Sequence, residues 1–201
     1  MSTYIQLYYF SASDTFINNR APFTRGLFRA MVATTGNSNA YWGLQELDEE
    51  VRVGYLITVW HSQEDYLEYK NSNVFNLTMR LLEKAAVGKI IHHLFRGVKE
   101  LTMPTFQAKL TEFVLASAKN GVSNNTLKKT VGKVWAVLDA HGHPSSIGEC
   151  VNGDDVYVIV IGWPAYETME NEAFMTPINE LSSLADLRFW HVPFDKYTSR
   201  L

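Results

Sequence analysis

The chain has 201 residues, enough for one large domain or two small ones. Apolar residues make up 46% of it and charged residues 19%, so burial can offset the entropy cost of folding and a disordered chain is excluded. A formal charge of −3 and a pI of about 6.1 argue against nucleic acid or an anionic membrane as a partner.

The single cysteine, Cys150, excludes an intrachain disulfide and a metal site built from several thiolates. The first residues lack the basic and long apolar segments of a secretion signal, and no apolar run approaches the ~18 residues of a membrane span. His141 and His143 have no third ligand at a suitable spacing, so they are interpreted as a loop cluster and no metal is expected. These features predict a cytoplasmic protein without a membrane partner.

The first half of the chain predicts four strands with helices between them. β-branched and aromatic runs indicate the strands, Gly36 is a helix stop, and Ser62 followed by Glu64 and Asp65 is typical of a helix start. The predicted elements are a strand at 4–10, a helix at 20–35, strands at 41–47 and 51–60, helices at 62–70 and 73–86, and a strand at 89–96.

The second half predicts the same series of elements. Ser123 or Asn124 caps its first helix, and Asn152-Gly153 is a hairpin-turn signal. The predicted elements are a strand at 106–114, a helix at 123–140, strands at 145–151 and 156–163, helical stretches at 164–172 and 177–185, and a strand at 187–194.

Landmark residues recur between the halves at offsets of 98 to 106. The matched pairs are Gly36 with Gly142, Gly43 with Gly148, Trp60 with Trp163, and His93 with His191. A repeat of this length indicates a duplicated domain. We therefore predict a first β-α-β-β-α-β repeat at 1–97, a linker at 98–105 and a second repeat at 106–201.

Each repeat has the ferredoxin-like order of elements, which gives an antiparallel sheet with helices on one face. The strands at 51–60 and 156–163 are apolar on both faces, as expected when both faces are covered. The predicted fold is α+β, with two tandem ferredoxin-like repeats packed sheet to sheet as a pseudo-dimeric α+β barrel. A monomer is then feasible, and a homodimer stays open.

The residues around the central tryptophan carry a family resemblance. Trp60 ends a central strand and a helix follows at once, in residues 60–66 (WHSQEDY), while the last strands contain 92–95 (HHLF) and 191–194 (HVPF). This pattern resembles the dimeric α+β barrel superfamily, particularly its antibiotic-biosynthesis-monooxygenase and stress-responsive branches. The second half departs from it, since 163–166 (WPAY) lacks the serine and the acidic pair.

The resemblance implies several chemistries, because members include cofactor-independent monooxygenases of polyketide phenols, polyketide cyclases, lactone isomerases, hydroxynitrile lyases and haem-degrading enzymes, and others have no demonstrated catalysis. The leading hypothesis is a cofactor-independent monooxygenase, cyclase or lyase. It would act on a small aromatic or polyketide-like metabolite by proton abstraction. The alternatives are a non-catalytic ligand-binding or stress-response barrel, and a haem-binding barrel. Fold alone does not select among them.

Histidines on the two last strands are the candidate bases. His93 and His191 lie on apolar strand faces, where desolvation favours a neutral imidazole that can accept a proton. His92 points to the opposite face, and a register shift of one residue would exchange the two roles. A hydrogen-bonded core histidine is the competing interpretation. The polar neighbours of His93 favour the first half as the active one.

Aromatic side chains are the candidate substrate contacts. Trp60 and Trp163 can stack on a planar substrate or fill the core. The resemblance to the cyclase branch implies a tyrosine across the cavity from the histidine, and Tyr8, Tyr55 and Tyr66 are candidates for it. Tyr4, Gln6 and Tyr8 share a strand face that could line a cavity between sheet and helices. The predicted catalytic residues are His93, His191, Tyr55 and Tyr66, and the predicted substrate contacts are Tyr8, Trp60, His92 and Trp163.

Overall fold

The computed structural model describes residues 3–46, 52–97, 103–151, 155–165 and 172–196. These fall into two compact units, the first comprising residues 3–94 with those from Asp195 onward, and the second residues 95–194. Each unit is α+β. Among the described residues, no helix is both long and apolar enough to cross a membrane.

The first unit builds an antiparallel sheet. β3 pairs antiparallel with β1 and β2, and β4 lies on the other side of β1, so the strand order is β4-β1-β3-β2, with the short β9 (Phe194–Lys196) beside β2. The elements are β1 (Tyr4–Ala12), α1 (Asp14–Asn18), α2 (Arg20–Val32), β2 (Asn37–Glu46), β3 (Arg52–Trp60), α3 (Gln63–Lys70), α4 (Asn73–Ala85) and β4 (Ala86–Gly97). The predicted strands and helices of the first half are thereby confirmed to within a few residues at their ends.

Serine residues fix where three of these helices begin. The hydroxyl oxygens of Ser13, Ser62 and Ser72 each accept a hydrogen bond from the backbone N–H three residues on, at 3.1–3.3 Å. Each bond satisfies an N–H that has no partner inside the helix. The helices place their apolar sides on the sheet face that carries Tyr4, Tyr8 and other core residues.

The second unit has the equivalent order β8-β5-β7-β6, and β5 pairs antiparallel with β8 and β7, as β7 does with β6. Phe95–Gly97, the end of β4, pairs with β6 at its outer side. The elements are α5 (Met103–Gln107), β5 (Leu110–Ala118), α6 (Asn124–Ala140), β6 (Ser145–Cys150), β7 (Val156–Trp163), α7 (Glu172–Leu184) and β8 (Ala185–Val192). Ser123 caps α6, and Gly142 follows it with a φ of +73°, a conformation that favours glycine.

Two predicted boundaries in this half are wrong. The strand predicted at 106–114 is displaced by four residues, because 103–107 form α5 and pairing with β7 places Leu110 opposite Trp163. α7 begins at Glu172, so Pro177 lies inside the helix rather than at its start. Residues 98–102 of the predicted linker, the turn at 152–154 and most of the helix predicted at 164–172 lie outside the described residues.

Candidate functional site

A buried carboxylate and a histidine form a pair in the second unit. Glu112 on β5 lies directly opposite His191 on β8, and Glu112 Oε1 is 2.9 Å from His191 Nε2. The Trp163 indole Nε1–H, at the end of β7, donates to Glu112 Oε2 at 2.8 Å. Both carboxylate oxygens therefore have partners, which is the condition for burying a carboxylate without a large desolvation penalty.

The pair runs from the interior of the unit toward its surface. The Glu112 side chain is 11% exposed and that of His191 is 30% exposed. When the Glu112 carboxylate is ionised it only accepts hydrogen bonds, so the proton of this bond is then on His191 Nε2. A hydrogen bond donated from this nitrogen stabilises the carboxylate form of Glu112.

A cavity of about 260 Å³ borders Glu112. It lies between the sheet and helices α6 and α7. Typical small-molecule sites have volumes of about 300–1,000 Å³, and this cavity is slightly smaller. Besides Glu112 it is lined by Val114, Val134, Leu138, Ile161, Trp163, Phe174, Met175, Pro177, Ile178 and Phe189. Met175 and Phe189 are about half exposed, so they mark its mouth.

The first unit has a counterpart of this arrangement at the same register. Tyr4 faces Trp60 as Leu110 faces Trp163, so Gln6 occupies the place of Glu112. Gln6 Oε1 accepts from Thr58 Oγ1 at 2.9 Å, and its Nε2 lies 3.3 Å from His92 Nε2.

Aromatic rings fill the space in the first unit that is open in the second. Tyr8 stands where the second unit has Val114, and its ring stacks on His92 with centroids 4.8 Å apart. Trp60 stacks on Tyr69 at 4.6 Å and meets Tyr66 edge-on at 6.3 Å. Burial raises the pKa of Tyr8 well above its usual range, and Tyr69 and Tyr66 add to the effect, so this phenol stays neutral.

Comparisons with known proteins identify the fold. No protein-family model and no curated protein sequence matches the chain. Solved structures do match over nearly its whole length. A protein from Fusobacterium nucleatum, provisionally assigned as a monooxygenase, has a TM-score of 0.71 at 7% identity, covering 98% of this chain and 93% of that one.

Two further structures are similar. An anthrone oxidase-like protein has a TM-score of 0.65 at 10% identity, covering 98% of this chain and 92% of that one. A chlorite dismutase variant from Candidatus Nitrospira defluvii, in complex with cyanide, has a TM-score of 0.60 at 9% identity, with 96% and 90% covered. This chain shares their α+β fold. At this identity the likeness is one of fold and carries no reaction with it.

The structure separates the two adjacent histidines of β4. His92 lies on the helix-covered face, near Gln6, whereas His93 stacks on Tyr9 at 6.0 Å on the opposite face. His191 therefore matches His92, and the predicted match of His191 with His93 is wrong by one residue. The number of residues that separates matched positions decreases along the chain, so spacing alone gave the wrong partner for His191.

The predicted site residues fall into three groups. Tyr8, Trp60, Tyr66 and His92 share the filled cluster of the first unit. Tyr55 lies with His93 on the other sheet face, stacked on Tyr9 at 6.3 Å and donating to Gln45 Oε1 at 2.7 Å. Trp163 and His191 meet at Glu112. The preference for the first half, which rested on the polar neighbours of His93, stays a prediction.

Sequence reasoning missed Glu112. The signal was present, because Glu112 is an acidic residue between apolar neighbours on one face of β5, where Leu110 and Val114 also point. A charged residue on a core face is rare unless it is paired. The predicted strand 106–114 already contained this alternation, since 110, 112 and 114 share one of its faces.

The other histidines make local contacts. His141 Nδ1 lies 2.8 Å from the carbonyl of Val137, and the His143 ring packs against Trp163 at 4.7 Å. Burial lowers the pKa of His143, and His141 adds to the effect. Within the described ranges, no group of three or more His, Cys, Asp or Glu side chains is placed to hold a metal ion.

His92 should make the stability of the protein depend on pH. Burial, with smaller effects from the charges of His93 and Lys70, lowers the pKa of His92 from its ordinary 6.5 to about 4. A histidine with a depressed pKa binds a proton in the unfolded chain first, so its contribution to stability is present above pH 6.5 and is lost as the pH falls toward 4. After allowance for partial exposure, we expect a loss of about 1–2 kcal/mol in the free energy of unfolding.

Urea unfolding of the wild type and of His92→Gln at pH 7 and pH 5 measures this effect. The variant should lose less stability than the wild type over that interval, because glutamine does not titrate. Equal losses in both proteins would show that His92 has no such role.

Proposed function

We propose that the second unit is the active unit of a cofactor-independent enzyme that removes a proton from a small aromatic or polyketide-like molecule. The observation that carries the proposal is the Glu112–His191 pair at the wall of a largely apolar cavity. A buried, paired acid–base couple in a concave apolar site is the usual arrangement for proton transfer. The first unit has Gln6 in place of Glu112, and its role in this proposal is structural and not catalytic.

Each residue of the pair has a distinct task in this mechanism. Glu112 borders the cavity, so its carboxylate takes the proton from an activated C–H or O–H of the bound molecule. His191 donates its Nε2–H to Glu112 Oε1 and stabilises the ionised carboxylate, and the proton that Glu112 takes up passes from its carboxyl group to water or back to the product. The Trp163 N–H holds the second carboxylate oxygen and fixes its orientation. The substrate carbanion then reacts with molecular oxygen, as in a monooxygenase, or attacks a carbonyl of the same molecule, as in a cyclase.

The similar folds support the monooxygenase form of the proposal, because the Fusobacterium protein and the anthrone oxidase-like protein bear names of that class. The shared strand order of the two units, with a tryptophan at the same register in each, supports a tandem duplication of one ferredoxin-like unit. The alternative is a non-catalytic ligand carrier, which the apolar lining of the cavity would also suit.

Haem does not fit the second-unit cavity. Haem is larger than the drug-sized ligands that occupy sites of about 300–1,000 Å³, and this cavity is smaller than those sites. His191 already engages Glu112 through Nε2, and the described lining residues include no basic side chain to pair with propionates. No step of the proposed reaction passes through haem.

Exchange of the acidic α-protons of the bicyclic ketone 2-tetralone in deuterated buffer tests the proposal without knowledge of the natural substrate. The wild type should accelerate this exchange, followed by proton NMR, above the rate in buffer alone. Trp163→Phe removes the N–H donor from Glu112 but keeps a ring, so we expect about a tenfold slower exchange from loss of a bond to a charged group.

Trp60→Phe is the matched control, because the same substitution at the same register in the first unit leaves Glu112 untouched. It should leave the exchange rate unchanged. A wild type that gives no acceleration would overturn the proposed chemistry. Equal losses in the two tryptophan variants would instead point to a general loss of structure.

A further inference from the structure

Among the described residues, one ionisable side chain lines the second-unit cavity. Glu112 is that residue, and the described side chains around it are otherwise apolar apart from the Trp163 indole. The indole N–H is already bonded to Glu112, so it is not available to a ligand anion. A molecule in the cavity therefore meets one carboxylate and no positive charge among the described lining residues.

Two described lysines near the helical walls are engaged elsewhere. Lys133 on α6 pairs with Glu180 on α7 at 2.5 Å, with both side chains well exposed, and Lys119 donates to the Ser182 carbonyl at 2.6 Å. His191 shares its proton with Glu112. None of these groups can neutralise an anion inside the cavity.

We propose that the cavity accepts uncharged molecules of about two fused rings and that Glu112 excludes their carboxylate analogues. The inference rests on the proposed site, but it concerns binding rather than turnover. An anion entering the cavity would lose its hydration, gain no cationic partner and approach a like charge in a medium of low dielectric constant. The volume of about 260 Å³ sets the limit on ring number.

Calorimetric titration at pH 7.5 with 2-naphthalenemethanol and 2-naphthoate tests this inference. The two probes share a ring system and are close in size, and they differ in charge. We expect the wild type to bind the alcohol at least about tenfold more tightly than the carboxylate. Because any apolar cavity disfavours a carboxylate to some extent, the decisive measurement is the same ratio in Glu112→Gln.

In Glu112→Gln the ratio should fall to within about threefold, mainly through tighter binding of naphthoate. The variant should fold, since Gln6 occupies the matching position beside Trp60 and His92 in the first unit. Glu149→Gln, a change on β6 in an exposed ion pair with Arg96, should keep the wild-type ratio.

Three results would overturn the inference: an unchanged ratio in Glu112→Gln, equal binding of both probes by the wild type, or no binding of either probe. Selective binding without any 2-tetralone exchange would overturn the proposed enzyme and leave this inference standing. The two failures are thus distinguishable.

Discussion

Glu112→Gln should slow 2-tetralone exchange by at least about a hundredfold, the lower end of what a general base contributes. Glutamine has nearly the same shape and can still accept the Trp163 N–H, but its amide cannot take a proton at neutral pH. The loss should therefore be a loss of rate with little change in ligand affinity for the neutral ketone. Proton NMR exchange rates over a range of ketone concentrations separate the two.

Glu149→Gln is the control for this substitution. Glu149 is also on a strand of the second unit, yet it lies in an exposed pair with Arg96 and does not border the cavity. It should retain the full exchange rate. If Glu112→Gln retained it as well, Glu112 would not be the base, and the pair would be a structural hydrogen bond.

Val114→Tyr should abolish binding of 2-naphthalenemethanol, with an affinity loss of at least about a hundredfold. Val114 is fully buried and borders the cavity, and a tyrosine there would put a ring into the space that the ligand needs. The native first unit already has a tyrosine at this register, since Tyr8 lies at the matching position and packs among Trp60 and its neighbours. Because the new ring enters empty volume, the free energy of unfolding should change by less than about 1.5 kcal/mol.

Tyr8→Val is the reverse substitution at the matching position and serves as the control. It removes a fully buried ring from a filled cluster, so it should lower the free energy of unfolding by about 3 kcal/mol, as large-to-small core changes do. Binding of the alcohol to the second unit should persist. Unimpaired binding in Val114→Tyr would show that the ligand occupies another place.

Alternation and turn residues were enough to predict most of the fold. The apolar run at 156–163 coincides with β7, and the run at 51–60 with β3, because both strands are central and buried along their length. The serine caps at Ser62 and Ser123 located their helices for the same local reason. The strand predicted at 106–114 was wrong because apolar residues continue upstream of β5 into α5, and only pairing with β7 sets the boundary.

The site was less predictable, because it depends on differences that periodicity does not contain. A shift of one residue decided whether His92 or His93 faces the helices. The cavity depends on side-chain volume at one register position, valine at 114 and tyrosine at 8, and on how helices α6 and α7 cover it. Glu112 is a candidate for the site because His191 and Trp163 lie beside it, a contact that only the folded chain provides.

β8 is the terminal strand of its sheet, and within the described residues it pairs only with β5. It carries His191 and Phe189, whereas Glu112 and Trp163 sit on the inner strands β5 and β7. Terminal strands open locally at a smaller free-energy cost than the strands between them. The part of the cavity wall formed by Phe189 can therefore open briefly and close again, while the part formed by β5 and β7 stays in place. Local opening of β8 would admit a large ligand without unfolding of the inner strands. Ligand binding to the cavity should therefore slow hydrogen exchange of the β8 amides first.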